Sequence, residues 1–279
     1  MREIPSELIT QRVREMCIKA CCILPCDLYQ ALNAARAGEP WPPAGEILSQ
    51  MLENADIARE NMCPICQDTG MACVFVEIGQ EVHVQGDLSA AIHEGVRQGY
   101  AQGYLRKSVV KDPLDRVNTG DNTPAMIYYD IVPGENLRLT LAPKGFGSEN
   151  MSAIRMLSPS DGLDGVKKFI LETVENAGPN PCPPIVVGVG LGGTFDKAAL
   201  LAKKALLRPI SQGNAHPFYK ALEDEMLEKI NALGIGPAGL GGKTTALKVQ
   251  IETLPTHIAG LPAAVNINCH ASRHVTEVL

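Results

Sequence analysis

Residues 71–84 decide the fold class, and they read Met71-Ala72-Cys73-Val74-Phe75-Val76-Glu77-Ile78-Gly79-Gln80-Glu81-Val82-His83-Val84. The compact apolar run that opens this stretch is typical of a strand, and Gly79-Gln80 ends it. The alternating residues that follow predict a second strand. Asp87 can then accept the free amide hydrogens of a helix's first turn, so we expect a helix from there to about Tyr104. Strand, turn, strand and helix in this order indicate an α/β protein.

Upstream of this stretch the chain has helical patterning. Apolar residues recur at helical spacing from about Ile9 to Arg36, and the proline-rich residues 39–43 then break the pattern, because proline lacks a backbone donor. A second helix is expected from Ala44 to about Asn61. The sequence therefore predicts a helical N-terminal region over residues 1–60.

Downstream, strand and helix signals alternate. Segments 125–132 and 137–142, joined by Pro133-Gly134-Glu135-Asn136, resemble a hairpin rich in strand formers. Further helices are expected near 164–177, 195–207 and 217–233, and further strands at 185–189, 247–251 and 264–267. Because no repeat or long linker divides the chain, we expect one domain over residues 1–279. Its core, residues 61–279, would be α/β, with mixed sheets and flanking helices.

Composition excludes several classes of function. The net charge is −6 and no long basic run occurs, which argues against a nucleic-acid partner. No 18 apolar residues run together and the N-terminus has no apolar leader, so we expect a cytoplasmic protein without a membrane span. The nine cysteines are an odd number and poor evidence for a disulfide framework. They favour either thiolate metal chemistry or burial as small apolar side chains.

The N-terminal cysteines favour burial. Cys17, Cys21, Cys22 and Cys26 lie within ten residues, and Cys17 and Cys21 share one helix face, where they could bind a metal. A free cysteine commonly packs as a small hydrophobe, however, and this helical run needs no metal to explain it. Cys73, on the first expected strand, is also assigned to the core.

The other four cysteines lie in polar or proline-rich loops. Cys63 and Cys66 form a C-x2-C pair, which alone is compatible with zinc, a redox thiol pair or an iron-sulfur cluster. Polar residues follow directly in Cys66-Gln67-Asp68-Thr69-Gly70, which is typical of a functional loop. Cys182 lies among three prolines that exclude a helix interior, and Cys269 ends a strand amid polar residues. Such cysteines can converge only through folding.

A cluster held by three thiolates would leave one iron without a protein ligand. That iron can act as a Lewis acid on substrate oxygen atoms, whereas an electron-carrying cluster is normally held by four thiolates. A three-cysteine cluster would therefore predict chemistry on a hydroxy acid.

The chain resembles the α subunits of class I, iron-sulfur fumarases and of the related L-tartrate dehydratases. The resemblance covers nearly the whole chain. It rests on residues 66–70, on Arg106-Lys107-Ser108 and on four further motifs. These are Asn118-Thr119-Gly120-Asp121-Asn122-Thr123-Pro124, Lys144-Gly145-Phe146-Gly147-Ser148-Glu149-Asn150, Asn268-Cys269-His270-Ala271 and Arg273-His274.

The resemblance implies a 4Fe-4S cluster held by Cys66, Cys182 and Cys269. It also implies that four groups face the substrate: Gln67, Asp68, Arg106 and the backbone near Gly147. Physical chemistry suits these roles. Arg106 offers a planar fork to a carboxylate, Gln67 can donate to another oxygen, and Asp68 could transfer a proton.

Other implications concern partners. His257 resembles a further site residue of the family, although a core histidine is a close alternative. Single-chain members carry a second domain with more basic residues and the proton-abstracting group. We therefore expect a separate β subunit and a dimer of αβ pairs, since closed two-fold assemblies are the commonest. Cys63 has no counterpart in this scheme.

The leading expectation is the hydration of fumarate to malate, with tartrate dehydration as the alternative. A third hypothesis, a dinucleotide-binding or assembly subunit, rests on the G-x-G-x-x-G match at residues 188–193. No acidic residue follows about 20 positions later, as that fingerprint requires. Residues 234–245 resemble a phosphate loop, but Pro237 stands where glycine is needed. His270 and His274 lack the glutamate of a zinc motif, so a supporting role is expected for them.

Overall fold

The computed structural model describes residues 1–279. The helices are α1 (Ser6–Cys22), α2 (Cys26–Ala37), α3 (Pro42–Asn61), α4 (Leu88–Gln102), α5 (Phe146–Glu149), α6 (Gly162–Ala177), α7 (Phe195–Ala205) and α8 (Pro217–Asn231). The strands are β1 (Arg2–Pro5), β2 (Met71–Gly79), β3 (Val82–Gln85), β4 (Met126–Val132), β5 (Leu137–Lys144), β6 (Ala153–Leu157), β7 (Ile185–Gly193), β8 (Ala246–Thr256), β9 (Leu261–Asn268) and β10 (Val275–Val278). The expected α/β class with mixed sheets and a helical N-terminal region is confirmed.

The chain forms two compact units. Unit 1 contains Met1–Leu24, Asn54–Phe146 and Arg273–Leu279, and unit 2 contains Pro25–Glu53 and Gly147–Ser272. The single domain expected over residues 1–279 stays a prediction. No helix in the chain combines the length and the apolar character that a membrane crossing requires.

Unit 1 has a four-stranded sheet of order β10-β5-β2-β4 and a parallel pair, β1 and β3. Helices α1 and α4 and this sheet share one apolar core, which includes the fully buried Ile9, Val13 and Ile92. The expected cap of α4 is confirmed, because the Asp87 side chain accepts a 2.9 Å hydrogen bond from the Ala90 amide. The expected strands at β2 and β3 are also present.

The hairpin expected from 125–132 and 137–142 is wrong. Strand β2 lies between β4 and β5, parallel to the first and antiparallel to the second. Residues 72–76 of β2 are all buried, as suits a central strand, so this strand takes the position between them. The connection between β4 and β5 passes the end of β2, where the Gly79 amide donates to Asn136 O at 2.9 Å.

The single helix expected over residues 9–36 is two helices, α1 and α2, separated by Ile23 to Pro25. Pro25 cannot donate a helical hydrogen bond, and its ring disfavours helical geometry at the preceding residue. Pro25 therefore predicts the break between the two helices, whereas the spacing of the apolar residues does not. Strands β1, β6 and β10 were not expected at all, and two of the three have only four residues.

Unit 2 has a four-stranded sheet of order β6-β9-β7-β8, in which β7 is parallel to β8 and antiparallel to β9. The buried valines of β7, Val187 and Val189, share a core cluster with α6 and α8. Because successive side chains point to opposite faces, the residues between those valines face α7. The expected helices near 164–177, 195–207 and 217–233 are confirmed as α6, α7 and α8.

The glycine-rich run 188–193 is part of β7 itself and does not form a loop before a helix. A Cβ on Gly190 would lie 2.1 Å from Ala198 O, and one on Gly188 would lie 2.2 Å from Ala202 O. Both glycines therefore let α7 pack directly on the strand. Close packing accounts for this motif without a dinucleotide.

Candidate functional site

The segment Cys66–Gly70 lies between α3 and β2 in unit 1. The chain that leads into it is fixed by two hydrogen bonds: the Ile65 amide donates to Cys21 O at 3.0 Å, and Asn54 Nδ2 donates to Ile65 O at 2.9 Å. Cys66 and Gln67 then turn outward and are exposed. A buried anchor followed by exposed polar side chains is the arrangement expected of a binding loop.

The Asp68 carboxylate forms hydrogen bonds within its own loop and with the motif at residues 144–150. Its Oδ1 accepts the Gly70 amide and its Oδ2 accepts the Phe146 amide, both at 2.9 Å. The backbone carbonyl of Asp68 accepts a 2.8 Å hydrogen bond from Arg273 Nη2. Asp68 therefore has a fixed orientation. Gly147, the predicted backbone contact for substrate, follows Phe146 directly and is exposed in unit 2.

Gly70 ends the loop where only glycine fits. Its φ is +72°, and a Cβ would lie 2.6 Å from the carbonyl carbon of Lys144. The hydroxyl of the buried Tyr100 is 2.7 Å from Thr69 O and 3.1 Å from Gly70 O. The end of the loop is thus held from the core of unit 1.

The Arg106 segment lies beside this loop. Thr69 Oγ1 donates to Arg106 O at 3.0 Å, and the arginine side chain is exposed. The fully buried Asn122 joins the same segments. Its Nδ2 donates to Gly70 O at 3.2 Å, and its Oδ1 accepts the Ser108 amide at 2.7 Å. The motif at residues 118–124 therefore positions the Arg106 segment against the cysteine loop.

In unit 2 the loops of Cys182 and Cys269 lie side by side. Cys182 precedes β7 and Cys269 follows β9, and the antiparallel register pairs Val186 with Asn268. The amide of His270 donates to Cys182 O at 3.3 Å, and its Nδ1 lies 3.1 Å from the same oxygen. These contacts join the two loops, and the supporting role expected of His270 stays a prediction.

Glu149, in the motif at residues 144–150, is held by hydrogen bonds within unit 2. The Glu149 carboxylate accepts a 2.5 Å hydrogen bond from Lys203 Nζ on α7 and a 2.7 Å hydrogen bond from Asn266 Nδ2 on β9. Asn266 Nδ2 also contacts Ser152 Oγ at 2.9 Å. This network fixes the segment that follows Gly147 on the sheet of unit 2.

The nine cysteines differ in their exposure to solvent. Cys17, Cys21, Cys22 and Cys73 are buried, as the sequence predicted, but the burial expected of Cys26 is wrong. Cys26, Cys63, Cys66 and Cys182 are exposed, and Cys269 is half-buried. Burial raises the pKa of Cys21 to about 12 and raises the pKa of Cys17 well above its ordinary value. Buried thiols of this kind resist forming the thiolate that a metal needs.

The three predicted ligands are distributed over both units, with Cys66 in unit 1 and Cys182 and Cys269 in unit 2. No group of three or more His, Cys, Asp or Glu side chains stands assembled as a metal site. Cys182 has a φ of +54°, which is uncommon for a residue with a side chain. All three thiols lie on loops outside the cores, and a set of three such thiols suits an iron-sulfur cluster.

His257 lies in the turn between β8 and β9. It is exposed, so the alternative of a core histidine is wrong. Its Nδ1 accepts the Ala259 amide at 3.2 Å, which orders the turn. The histidine is available for contact with a ligand or a partner, and its assignment as a site residue stays a prediction.

The sequence profile of the family described as "Fumarate hydratase (Fumerase)" matches residues 10–278. The chain belongs to this family. The protein named "Putative L(+)-tartrate dehydratase subunit alpha" from Methanocaldococcus jannaschii is 45% identical, over 98% of this chain and 96% of its own. The L(+)-tartrate dehydratase subunit alpha of Escherichia coli strain UTI89 is 35% identical, over 91% of this chain and 84% of its own. The expected family resemblance is thereby confirmed.

Sequence reasoning missed several residues that organise the site. Tyr100 gave no signal beyond its place on an apolar helix face. Asn122 and Arg273 were within motifs that support the family resemblance, but the sequence gave no contact from which to infer their roles. Both are buried polar residues in the structure. A polar residue within a family motif that proves to be buried is the signal that could have found them.

Proposed function

We propose that this chain is the α subunit of an iron-sulfur-dependent hydro-lyase that dehydrates L-tartrate. Sequence reasoning favoured fumarate, but the names of the similar proteins favour its alternative, tartrate. The structural observation that carries the proposal is the placement of Arg106 beside the Cys66–Gly70 loop. It places the Arg106 segment next to a loop that carries an exposed thiol, an amide and a carboxylate. Fumarate remains the second candidate, because the family itself is described by that substrate.

A 4Fe-4S cluster held by Cys66, Cys182 and Cys269 is the proposed cofactor. Support comes from the exposure of Cys66 and Cys182, the half-burial of Cys269, and the hydrogen bonds that join the loops of Cys182 and Cys269. When bound, such a cluster supplies a Lewis-acidic iron that has no protein ligand. Cys63 and Cys26 are exposed too, and they serve as matched thiols outside the proposed set.

The substrate's carboxylates would be bound by side chains that the loop presents. Arg106 can donate two parallel hydrogen bonds to one carboxylate, and Gln67 can donate from its amide nitrogen. Both side chains are exposed, and Thr69 and Asn122 fix the backbone beneath them. The backbone amide of Gly147 is the third proposed donor. His257 is a further candidate contact.

Asp68 is the proposed proton-transfer group on this chain. Dehydration removes a hydroxide from one carbon of tartrate and a proton from its neighbour, and the product, the enol form of oxaloacetate, tautomerises to the keto acid. A proton delivered to the departing hydroxyl makes it leave as water. Asp68 would supply that proton from a fixed position, since backbone amides orient both of its oxygens.

The proton on carbon would be removed by a group of a β subunit. The similar proteins are named as alpha subunits, which supports the existence of a partner. We propose a dimer of αβ pairs on the general preference for closed two-fold assemblies. We propose a cytoplasmic setting, because an odd number of cysteines, nine, is poor evidence for a disulfide framework.

The test is an anaerobic co-purification with the candidate β subunit, followed by assays with L-tartrate, fumarate and L-malate. We expect water loss from L-tartrate with the highest kcat/KM. Arg106→Lys should raise KM about tenfold or more, since a charged hydrogen bond contributes roughly 1.5–3 kcal/mol, whereas Arg138→Lys, also exposed in unit 1, should leave KM unchanged. Preference for fumarate would support the second candidate. A complex that acts on none of these acids would refute the proposal.

A further inference from the structure

Arg273 is a buried arginine whose charge has no anionic hydrogen-bond partner. Its side chain is in unit 1 and the residue is only 4% exposed. Nη2 donates to the neutral backbone carbonyl of Asp68, and both Nε and Nη1 are buried without any hydrogen-bond partner. An unpaired buried charge is strongly unfavourable, so a residue of this kind normally has an anion to face.

The neighbouring residues do not supply that anion. The thiols of Cys21 and Cys22 feel the charge of Arg273, yet burial keeps them in the neutral form and raises the pKa of Cys21 to about 12. The carboxylate of Asp68 is directed at the amides of Gly70 and Phe146. Within unit 1, two nitrogens of the guanidinium, Nε and Nη1, therefore have no acceptor.

The position of Arg273 relates it to the cysteine loop. The carbonyl that it binds belongs to Asp68, two residues after Cys66. Burial of Nε and Nη1 disfavours a substrate that must enter and leave at every turnover. A resident anion beside the loop, which stays in place through every turnover, suits this buried charge better. A cluster with thiolate and sulfide ligands is such an anion, and its potential responds to hydrogen bonds at sulfur.

We propose that Arg273 is a positioning residue and the buried counter-charge for the iron-sulfur cluster on Cys66. This inference rests on the proposed function. Arg273 fixes the Cys66 loop through Asp68 O, and its buried charge would act on the cluster from beside that loop. Because reduction adds negative charge to the cluster, a nearby guanidinium favours the reduced form and raises the midpoint potential.

Two substitutions distinguish the effect of the positive charge of Arg273 from that of its planar set of hydrogen-bond donors. Arg273→Gln removes the charge, so it should shift the midpoint potential to more negative values and speed iron loss to a chelator several-fold. Arg273→Lys keeps the charge but loses the planar donor fork. It should leave the potential closer to that of the wild type while still speeding iron loss. Arg59→Gln, an exposed arginine on α3, is the matched control and should change neither quantity.

The experiment is a redox titration of the anaerobically prepared αβ complex, followed by electron paramagnetic resonance, with iron release measured in parallel. Unchanged potential and iron release in Arg273→Gln would overturn the inference and leave the proposed function intact. A wild-type complex without a cluster would instead refute the proposed function itself. If the Gln variant fails to fold, wild-type protein with ¹⁵N-labelled arginine provides the test. Pulsed electron paramagnetic resonance should then detect an arginine nitrogen coupled to the cluster spin. The same coupling should be seen in Arg106→Lys, where Arg106 cannot be its source. The absence of that coupling would overturn the inference.

Discussion

The backbone carbonyl of Cys182 accepts two contacts from His270, one from its amide at 3.3 Å and one from Nδ1 at 3.1 Å. Since a carbonyl only accepts, Nδ1 carries the proton in this arrangement. His270 directly follows Cys269. One residue therefore links the loops of two proposed cluster ligands and sets their backbones relative to each other within unit 2.

His270→Ala should weaken this link. Loss of the side-chain bond is expected to lower the free energy of unfolding by about 1 kcal/mol and to reduce the iron retained per chain. Urea unfolding and iron analysis measure the two effects. His83→Ala, an exposed histidine on β3, is the control and should lie within about 0.5 kcal/mol of the wild type. Full iron content in His270→Ala would contradict a role for this residue in ligand positioning.

Thiol labelling should divide the cysteines as their burial does. In the cluster-free chain at pH 8, maleimide is expected to modify Cys26, Cys63, Cys66 and Cys182 rapidly. Burial raises the pKa of Cys21 to about 12, so its reactive thiolate is scarce at that pH, and the raised pKa values of Cys17 and Cys22 act in the same direction. Peptide mass spectrometry reads out each site. Rapid modification of Cys21 without denaturant would show that unit 1 opens around it.

Tyr100→Phe should loosen the end of the cysteine loop. The change removes the hydroxyl that contacts Thr69 O and Gly70 O, and it is expected to cost about 1–2 kcal/mol because the two buried carbonyls lose a donor. Tyr129→Phe is the matched control, since that hydroxyl contacts only the half-buried Ser89. Thermal or urea unfolding measures both variants. Equal stability of the two would mean that the hydroxyl of Tyr100 does not hold the loop.

Stability should fall between pH 7 and pH 5 through His93. Burial, and then the charge of Arg97, lower the pKa of this histidine, and its Nδ1 accepts the Ala125 amide at 3.2 Å. As the pH drops, the unfolded chain takes up a proton at about pH 6.5 that the folded chain does not yet bind. The free energy of unfolding therefore decreases with falling pH.

The check is urea unfolding at several pH values in this window. His93→Gln should show a shallower pH dependence than the wild type, and the exposed His83→Gln should keep the wild-type slope. If His93→Gln kept the full slope, the pH dependence would have to arise from other groups.

Local signals in the sequence predicted local structure well. Asp87 lies before an apolar helix face, so its role as a cap follows from the chemistry of helix ends, and it caps α4 as expected. Cys66-Gln67-Asp68 is too polar for a core, and its first two residues are indeed exposed. Strand pairing was not predictable in this way. The β4 and β5 segments carry a hairpin pattern, but the more deeply buried β2 pairs with both of them.

Contacts between distant residues account for what the sequence could not give at the site. Thr69 bonds Arg106, Asn122 bonds Gly70, and neither pair is close in the chain. Arg273 lies 205 positions from the carbonyl that it binds. No periodicity or motif spacing encodes such a contact, whereas the residue types themselves, an amide and a guanidinium among family motifs, marked positions worth attention.

The assignment of the three cluster ligands is tested most directly with single serine substitutions. The quantity to measure is the iron and acid-labile sulfide content of the anaerobically purified αβ complexes that carry them. We expect Cys66→Ser, Cys182→Ser and Cys269→Ser each to lose most of the cluster. Cys26→Ser and Cys63→Ser, which change the other exposed thiols, should keep the wild-type content. Wild-type iron in all three of the first group would contradict the assignment of these cysteines as the ligands of the cluster.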